Sequence, residues 1–202
     1  MSLSDVLGVP NTHTRYAYFP ISGFVSLVVE VDERPGLEVG MVGREGMLGA
    51  ELLLDQNLPP WRAVVQGAGS SWRIKTSEFQ KTLTDSPGLR HLVARYLAFR
   101  VEQLTLAAAC ERFHEIGPRL ARWLLMSQDR AQSDTFHVTH QFMAFMLGVR
   151  RVGVTLAASE LQRQGLIAYR RGELTVLDRL GLQARSCSCY DRNQRVYDTL
   201  VS

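Results

Sequence analysis

The feature that most constrains the fold is a long stretch, residues 87–113, with the pattern of one unbroken helix. Ser86 is suited to cap its start, and Pro87 is suited to its first position. After Gly88 in the first turn, the stretch contains no glycine or proline, so nothing in it interrupts the helical hydrogen bonds. The sequence therefore predicts a long central helix with different structures before and after it.

Two apolar stripes run along this predicted helix. The first stripe is interrupted by Gln103 and consists of Leu92, Tyr96, Phe99, Leu106, Cys110 and Phe113. The second consists of Val93, Leu97, Val101, Leu104 and Ala108. Together they are too wide for a helix that lies on one surface. We expect one stripe to pack on the β-rich part of the chain and the other on a second subunit, so that residues 86–113 dimerise. The residues predicted to mark this dimer helix are Leu92, Tyr96, Phe99, Leu106 and Cys110. The alternative is a helix buried inside a monomer.

The residues before this helix favour short β-strands. Four runs of β-branched and large apolar residues stand there: FVSLVVEV (24–31), LEVGMV (37–42), RAVVQ (62–66) and SWRIK (71–75). Glycines punctuate the runs, and Pro35-Gly36 and Pro59-Pro60 indicate turns. Short strands at this spacing are typical of a barrel or a β-roll.

Residues 139–161 fit the pattern of a helix-turn-helix. Thr139 is suited to cap the first helix, and Gly148 stands at the turn, where a positive φ is needed. Ala144 is small enough to let the second helix cross closely. The residues expected to lock the two helices together are all apolar: Met143, Leu147, Val149, Val154, Ala157 and Leu161. A hairpin is predicted to follow over 166–177, with its turn at Arg171-Gly172.

The second of these helices leaves a polar face outward. That face contains Arg150, Arg151, Thr155, Ser159 and Gln162. Two arginines at a helix start oppose the helix dipole, so they indicate that an anion approaches there. Residues 111–202 hold 13 arginines against 9 acidic residues, whereas residues 1–110 hold 10 basic and 11 acidic residues. Arginine suits forked contacts with phosphates and guanine edges, so the pattern favours a DNA-binding C-terminal part.

Composition excludes other classes of protein. Motifs of common enzymes, such as a Walker loop, a GxSxG elbow or HExxH, are missing, so we expect no enzyme. There is no run of about 18 apolar residues and no secretory signal pattern, which indicates a cytoplasmic protein without a membrane span. The pair Cys187-x-Cys189 offers two metal ligands or a redox pair. A zinc site needs about four ligands, and no histidine or third cysteine lies nearby in sequence, so we expect no metal. Cys110 is interpreted as a small buried hydrophobic residue.

The order of these parts resembles the Crp/Fnr superfamily of bacterial transcription regulators over nearly the whole length. The segments that carry the resemblance are YFPISGFVSLV, VGREGMLGAELLL, RLARWLLMSQDR, FMLGVRRVGVTLAASELQRQGLIAYRRGELTVLDR and LQARSCSCY. The resemblance implies an α+β fold with three parts. These are a cyclic-nucleotide-binding-like sensor β-roll over 1–85, shortened at its N-terminus, the dimerisation helix over 86–113, and a winged helix-turn-helix domain over 114–202.

The resemblance also implies a function. A homodimer is expected to bind a two-fold symmetric operator in double-stranded DNA and to contact RNA polymerase if it activates. The residues expected to contact DNA are Thr139, Arg150, Arg151, Val152, Thr155, Ser159 and Arg171. Arg151, Val152 and Leu156 match the three base-reading positions of the family, and only Arg151 keeps a guanine-reading side chain. The alternative is a ligand-binding or protein-interaction module whose helix-turn-helix no longer reads DNA.

The effector is expected to differ from that of the cyclic-AMP regulators. The resemblance places an effector pocket at Gly46, Gly49, Glu51 and Arg62. Members that bind cyclic AMP carry a Gly-Glu pair and an Arg-Ser pair, whereas here Ala50 follows Gly49 and Ala63 follows Arg62. Residues 1–109 have no cysteine for an iron–sulfur cluster. His13, His91 and His114 are interpreted as surface or helix residues rather than haem ligands. The prediction is thus a regulator that uses none of these three cofactors.

Overall fold

The computed structural model describes residues 1–32 and 36–200, so the turn predicted at Pro35 lies outside the described residues. The strands are β1 (Val6–Gly8), β2 (Tyr16–Pro20), β3 (Phe24–Val29), β4 (Leu37–Val42), β5 (Arg62–Gly67), β6 (Ser71–Lys75), β7 (Thr135–His137), β8 (Ile167–Arg170) and β9 (Glu173–Val176). The helices are α1 (Thr76–Asp85), α2 (Pro87–Phe113), α3 (Ile116–Ala131), α4 (His140–Met146), α5 (Arg151–Arg163), α6 (Arg179–Arg185) and α7 (Cys189–Leu200), with a 3-10 helix at Ala50–Leu54.

The N-terminal strands form two antiparallel sheets. One has the order β1-β5-β3-β4, and the other pairs β2 with β6. The four runs that predicted strands correspond to β3, β4, β5 and β6, and β3 is buried along almost its whole length. Strand β1 has only three residues, and α1 places only Phe79 and Leu83 in the core. Neither element was predicted, because so few apolar positions give no clear periodicity.

Helix α2 begins and ends where the sequence predicts. The Ser86 side chain accepts a hydrogen bond from the Leu89 amide at 3.3 Å, and Pro87 is the first helical residue. The helix then continues to Phe113. The interruption of the apolar stripe at Gln103 has a local reason. This side chain is buried and accepts a hydrogen bond from Arg100 at 2.8 Å, while the Arg100 guanidinium also donates to the Met41 carbonyl of β4.

The exposure of the apolar residues on α2 differs from what the predicted dimer face requires. Of the residues predicted to mark the dimer helix, Tyr96, Phe99, Leu106 and Cys110 are buried within this chain, and Leu92 is 47% exposed. Three further apolar residues of α2 are exposed: Val101 (63%) and Leu104 (40%) on the second stripe, and Phe113 (78%) at the end of the first stripe. Glutamate at Phe99 or Leu106 would therefore disrupt the chain's own packing. Four of the five residues predicted to mark the dimer helix thus pack within this chain, and which stripe meets a second subunit stays a prediction, because helical spacing does not tell which face meets which partner.

The C-terminal part has a three-stranded sheet, β7-β9-β8, with α3 to α6 around it. Strand β7 falls in a segment whose polar composition predicts only a connection between helices. The last helix, α7, turns back and packs along α2. Its Tyr197 ring meets the Phe99 ring edge-on, with ring centroids 5.2 Å apart.

The two parts of the chain share one apolar core. Phe24, Val28 and Met41 of the N-terminal sheet pack with apolar residues of α3, α4 and α5. Two polar contacts cross the same boundary: Trp123 Nε1 donates to Glu38 at 3.0 Å, and Arg130 forms an ion pair with Glu45 at 2.8 Å. The sheet and the helix-turn-helix are thus held against each other by apolar and polar contacts.

Among the described residues, no single helix is long and apolar enough to cross a membrane. Helices α4 and α5 reach that length and composition only when joined, and they are bent by 111° where they meet.

Candidate nucleic-acid interface

Helices α4 and α5 form the helix-turn-helix that the sequence predicts. The Thr139 hydroxyl caps α4 by accepting a hydrogen bond from the Phe142 amide at 3.1 Å. Gly148 ends the turn with φ +62°, and a Cβ there would lie 2.9 Å from Leu37 of β4. The positive φ strongly favours glycine at this position.

The apolar residues expected to lock these helices are in contact with one core. The buried ones are Met143, Ala144, Leu147, Val154, Ala158 and Leu161, and Val149 and Ala157 are partly buried against them. Since the buried side of α5 is fixed in this way, its opposite side is left to solvent. The locking pattern read from the sequence is confirmed.

The hairpin that follows α5 is also present. Strands β8 and β9 are joined by Arg171 and Gly172, which have φ values of +53° and +85°. Two positive φ values in a two-residue loop are typical of a type I′ turn, which matches the twist of a hairpin. The Arg171 side chain is exposed at this tip.

Most residues expected to contact DNA are on the surface. Exposed ones are Thr139, Arg150, Arg151, Val152, Ser159 and Arg171. In the part of the chain that the structure describes, none of the ion pairs involves Arg150, Arg151 or Arg171. The carboxylates among the described residues thus do not neutralise these charges, which leaves them available to phosphates.

Two apolar side chains stand among these polar residues. Val152 is 68% exposed and Leu156 is 67% exposed on the outer face of α5. Apolar side chains at the surface of a reading helix can contact thymine methyl groups in the major groove. The outer face of α5 thus presents two exposed apolar side chains beside its polar residues.

Thr155 is the exception, since it is half-buried. Its hydroxyl donates to the Arg151 carbonyl and lies 3.0 Å from His140 Nδ1. The His140 ring in turn stacks on Tyr169 of β8, with ring centroids 4.4 Å apart. Burial, with a smaller effect of the Arg151 charge, lowers the pKa of His140 below its usual range. His140 and Tyr169 therefore connect α4, α5 and the hairpin, a role that sequence patterns do not reveal because the two residues are far apart in the chain.

Only part of the expected effector pocket lies together. A cavity of about 120 Å³ lies beside the 3-10 helix, between the sheet and α2. Its lining includes Gly49, Glu51, Trp61, Arg100, Val101 and Leu104. Burial raises the pKa of Glu51, and the Arg100 charge opposes this rise. Two of the four predicted pocket residues, Gly49 and Glu51, are thus at this cavity.

The other two predicted pocket residues are elsewhere. Arg62 is about half exposed and lies 3.6 Å from Glu30, on the surface of the sheet. Gly46 lies against Tyr96, where a Cβ would be 2.2 Å from the ring. The arginine that the resemblance places in the pocket is therefore replaced, within the cavity, by Arg100 from α2.

The three cysteines come together with a histidine. Cys110 Sγ lies 3.5 Å from Cys187 Sγ, and Cys189 Sγ lies 3.6 Å from His114 Nδ1. The contact with Cys110 lowers the pKa of the Cys187 thiol. No histidine or third cysteine lies near Cys187 and Cys189 in sequence, but the fold brings Cys110 and His114 next to them.

A half-buried acid, Glu38, lies where the sheet meets α3. The Glu38 carboxylate accepts the hydrogen bond from Trp123, and burial raises its pKa to about 7. The nearby charges of Arg130 and Arg122 only partly oppose this rise. A carboxyl with a raised pKa binds protons more tightly in the folded protein, so it makes the fold less stable as pH rises from about 4.5 to about 7.

We expect Glu38→Gln to stabilise the protein at pH 8 by up to about 3 kcal/mol and to have little effect at pH 4.5, because glutamine keeps an acceptor for Trp123 and has no charge to bury. Urea unfolding at the two pH values measures this difference. The matched control is Glu30→Gln on the exposed surface, for which a change within about 0.5 kcal/mol is expected at both. Equal effects of Glu38→Gln at pH 4.5 and pH 8 would contradict the assignment.

Comparison with solved structures identifies the fold. A CRP-family transcriptional regulator from Thermus thermophilus, TTHB099, matches with a TM-score of 0.74 and 20% identity, over 92% of this chain and 95% of that chain. FixK2 from Bradyrhizobium japonicum matches with a TM-score of 0.77 and 15% identity, over 92% of this chain and 94% of that chain. A second Thermus thermophilus regulator, TTHA1359 of the CRP/FNR family, matches with a TM-score of 0.71 and 22% identity, over 95% of this chain and 96% of that chain. No curated protein matches the sequence significantly.

The chain therefore has the α+β fold of the Crp/Fnr transcription regulators, as the resemblance implies. Within it, residues 118–185 match the Crp-like helix-turn-helix domain family. The two Thermus thermophilus proteins with this fold are transcriptional regulators, which agrees with the expectation from the motifs.

Proposed function

We propose that this protein is a transcription regulator that binds a two-fold symmetric DNA operator as a homodimer. The observation that carries the proposal is the outer face of α5, whose two N-terminal arginines form no ion pair with any carboxylate among residues 1–32 and 36–200, on a locked helix-turn-helix. In such a unit the second helix enters the major groove with its N-terminal residues at the base edges. Arg150 and Arg151 stand at that N-terminus, and Arg171 at the hairpin tip is suited to a flanking phosphate.

The exposed stripe of α2 supplies the subunit contact in this proposal. Leu97, Val101, Leu104 and Ala108 recur at intervals of four, three and four residues, which is the spacing of a coiled-coil seam. Two copies of α2 packed along this seam would be related by a two-fold axis, so the two α5 helices would read the same sequence in opposite directions.

In this proposal each of the three predicted parts of the chain has its own function. Residues 1–85 sense a signal, residues 86–113 dimerise, and residues 114–202 bind DNA and, in an activator, contact RNA polymerase. Val101 and Leu104 belong to both the cavity lining and the exposed stripe. An effector in the cavity would therefore touch the side chains that pack on the partner subunit, which gives a direct route from sensing to dimer geometry.

The test is selection of bound sequences from a pool of random duplexes. We expect recovered sites to be palindromic, with two half-sites about 10 base pairs apart. Binding to the unselected pool should fall steeply between about 50 mM and 200 mM salt, because phosphate contacts release counterions. The alternative, an interaction module that does not read DNA, requires that no duplex is retained even at the lower salt concentration.

Cyclic AMP should neither bind nor be needed for DNA binding. The cavity of about 120 Å³ is smaller than the roughly 300–1,000 Å³ typical of ligand pockets, and Arg62 is outside it. Calorimetric titration with cyclic AMP measures the binding, and operator binding with and without cyclic AMP measures the need. A dissociation constant in the micromolar range would overturn this part of the proposal.

A further inference from the structure

We propose that Cys110, His114, Cys187 and Cys189 form a zinc site that ties the end of α2 to the junction between α6 and α7. Their ligand atoms all lie within 4.8 Å of one another. Three thiolates and one imidazole are a donor set that Zn²⁺ favours in closed, four-coordinate sites. The inference goes beyond the proposed function and does not depend on it, because the site can be tested without DNA.

Two of the six distances between these four atoms match the edges of a tetrahedron around zinc, and the other four are no longer than 4.8 Å. Zinc–sulfur bonds of about 2.3 Å and zinc–nitrogen bonds of about 2.0–2.1 Å give edges of about 3.8 Å between two sulfurs and about 3.6 Å between sulfur and nitrogen. The observed edges are 3.5 Å between Cys110 and Cys187 and 3.6 Å between Cys189 Sγ and His114 Nδ1. A disulfide would need a sulfur separation of about 2.05 Å, so the described geometry is closer to shared coordination than to a bond.

The local structure orients the ligands toward one point. Cys110 is in the last turn of α2, and His114 is the residue that caps its C-terminus and donates its amide to the Cys110 carbonyl at 3.1 Å, so the backbone holds the two residues next to each other. The three cysteines are buried and pack on one another, and His114 is half-buried. Such enclosure is typical of a structural site with no open coordination position.

The surroundings also suit the charge of the proposed complex. Three thiolates around a divalent ion leave one negative charge, which a buried site must balance. Arg122 of α3 acts electrostatically on all three cysteines. Its Nε is buried without a hydrogen-bond partner among the described residues, so the guanidinium has donor capacity left for this cluster.

The position of the site gives it a mechanical role. Helix α2 ends at Phe113 and α3 begins at Ile116, so the short connection between them joins the long helix to the helix-turn-helix part. The site joins the last turn of α2, just before this connection, to the start of α7. Zinc would therefore fix the angle at which the helix-turn-helix part leaves α2.

The first experiment uses the full-length wild-type protein. Purification with zinc in the growth medium should yield one zinc per chain by plasma mass spectrometry. Replacement of zinc by Co²⁺ should give the visible absorption of a tetrahedral cobalt ion and a near-ultraviolet sulfur-to-cobalt band. Removal of the metal with a chelator should lower the midpoint of thermal unfolding by about 5–10 °C relative to protein with zinc at about 100 times its dissociation constant.

Variants identify the ligands. Cys187→Ser and His114→Ala should each reduce the zinc content to below about 0.2 per chain and change the cobalt spectrum. Ser188→Ala, between the two cysteines, and His91→Ala, earlier on α2, are matched controls that should keep one zinc. If a ligand variant fails to fold, the zinc uptake and cobalt spectrum of metal-free wild-type protein still decide the question.

Three results would overturn the proposal. One is wild-type protein without zinc that also takes up no Co²⁺. Another is retention of one zinc by the folded Cys187→Ser variant. The third is a Cys110–Cys187 disulfide, detected by mass spectrometry after alkylation of protein purified under reducing conditions, since it would consume two of the four ligands.

Discussion

The double variant Val101→Glu/Leu104→Glu should be a folded monomer whose affinity for the operator is lower by about 10²- to 10⁴-fold. Both side chains are exposed in the single chain, so glutamate there does not enter the chain's own core. In a dimer, however, it would place like charges opposite each other along the α2 seam. A monomer loses the gain in affinity from engaging two half-sites at once. Light scattering at micromolar concentration and operator titration measure the two effects.

Leu92→Glu is the matched control for this variant. Leu92 is also an exposed apolar residue of α2, but it lies on a different side of the helix from Val101 and Leu104. It should remain a dimer with unchanged DNA affinity. Circular dichroism verifies that both proteins are helical. If the double variant stays dimeric while Leu92→Glu dissociates, the subunit contact lies on the first stripe instead.

Arg151→Ala should weaken binding to the selected operator by about 1–3 kcal/mol per half-site, or about 2–6 kcal/mol for the dimer. The reason is loss of a forked contact to guanine O6 and N7, for which the first residue of α5 is well placed. Preference at one base pair in each half-site should relax, and binding to random duplexes should change little. Titrations of the operator and of a scrambled duplex at several salt concentrations measure this difference.

Arg150→Ala and Arg171→Ala are the matched controls. Arg150 precedes the first turn of α5 and Arg171 is at the hairpin tip, so both are assigned to phosphates. Each should weaken all sequences by a similar factor and reduce the salt slope by about one per half-site contact. Arg151→Ala with unchanged binding to both duplexes would mean that the paired arginines only begin a solvated helix.

The features predicted best from the sequence are those that depend on residues close together in the chain. Ser86 and Pro87 begin α2 and Thr139 caps α4, because a cap depends on residues within one turn. Gly148 ends the turn between α4 and α5 for a similar reason, since a positive φ strongly favours glycine. The helix-turn-helix and its hairpin could therefore be predicted with nearly correct bounds.

Features that depend on distant contacts were less predictable. The two stripes of α2 have similar composition, and only tertiary packing decides that Phe99 faces α7 while Val101 faces solvent. The grouping of Cys110 and His114 with Cys187 depends on the return of the chain after α6. Arg62 was expected in the pocket by alignment to a motif, whereas β5 places it beside Glu30.

The apolar core shared by the N-terminal sheet and α3 to α5 makes the docking of the helix-turn-helix part sensitive to temperature. Any movement that separates the two must bring Phe24, Val28 and Met41 into water. Newly hydrated apolar surface has a large positive heat capacity, so the free energy of such a movement follows a curve rather than a line as temperature changes. The free energy that a signal must supply to separate the sheet from the helix-turn-helix part would therefore differ between low and high temperature.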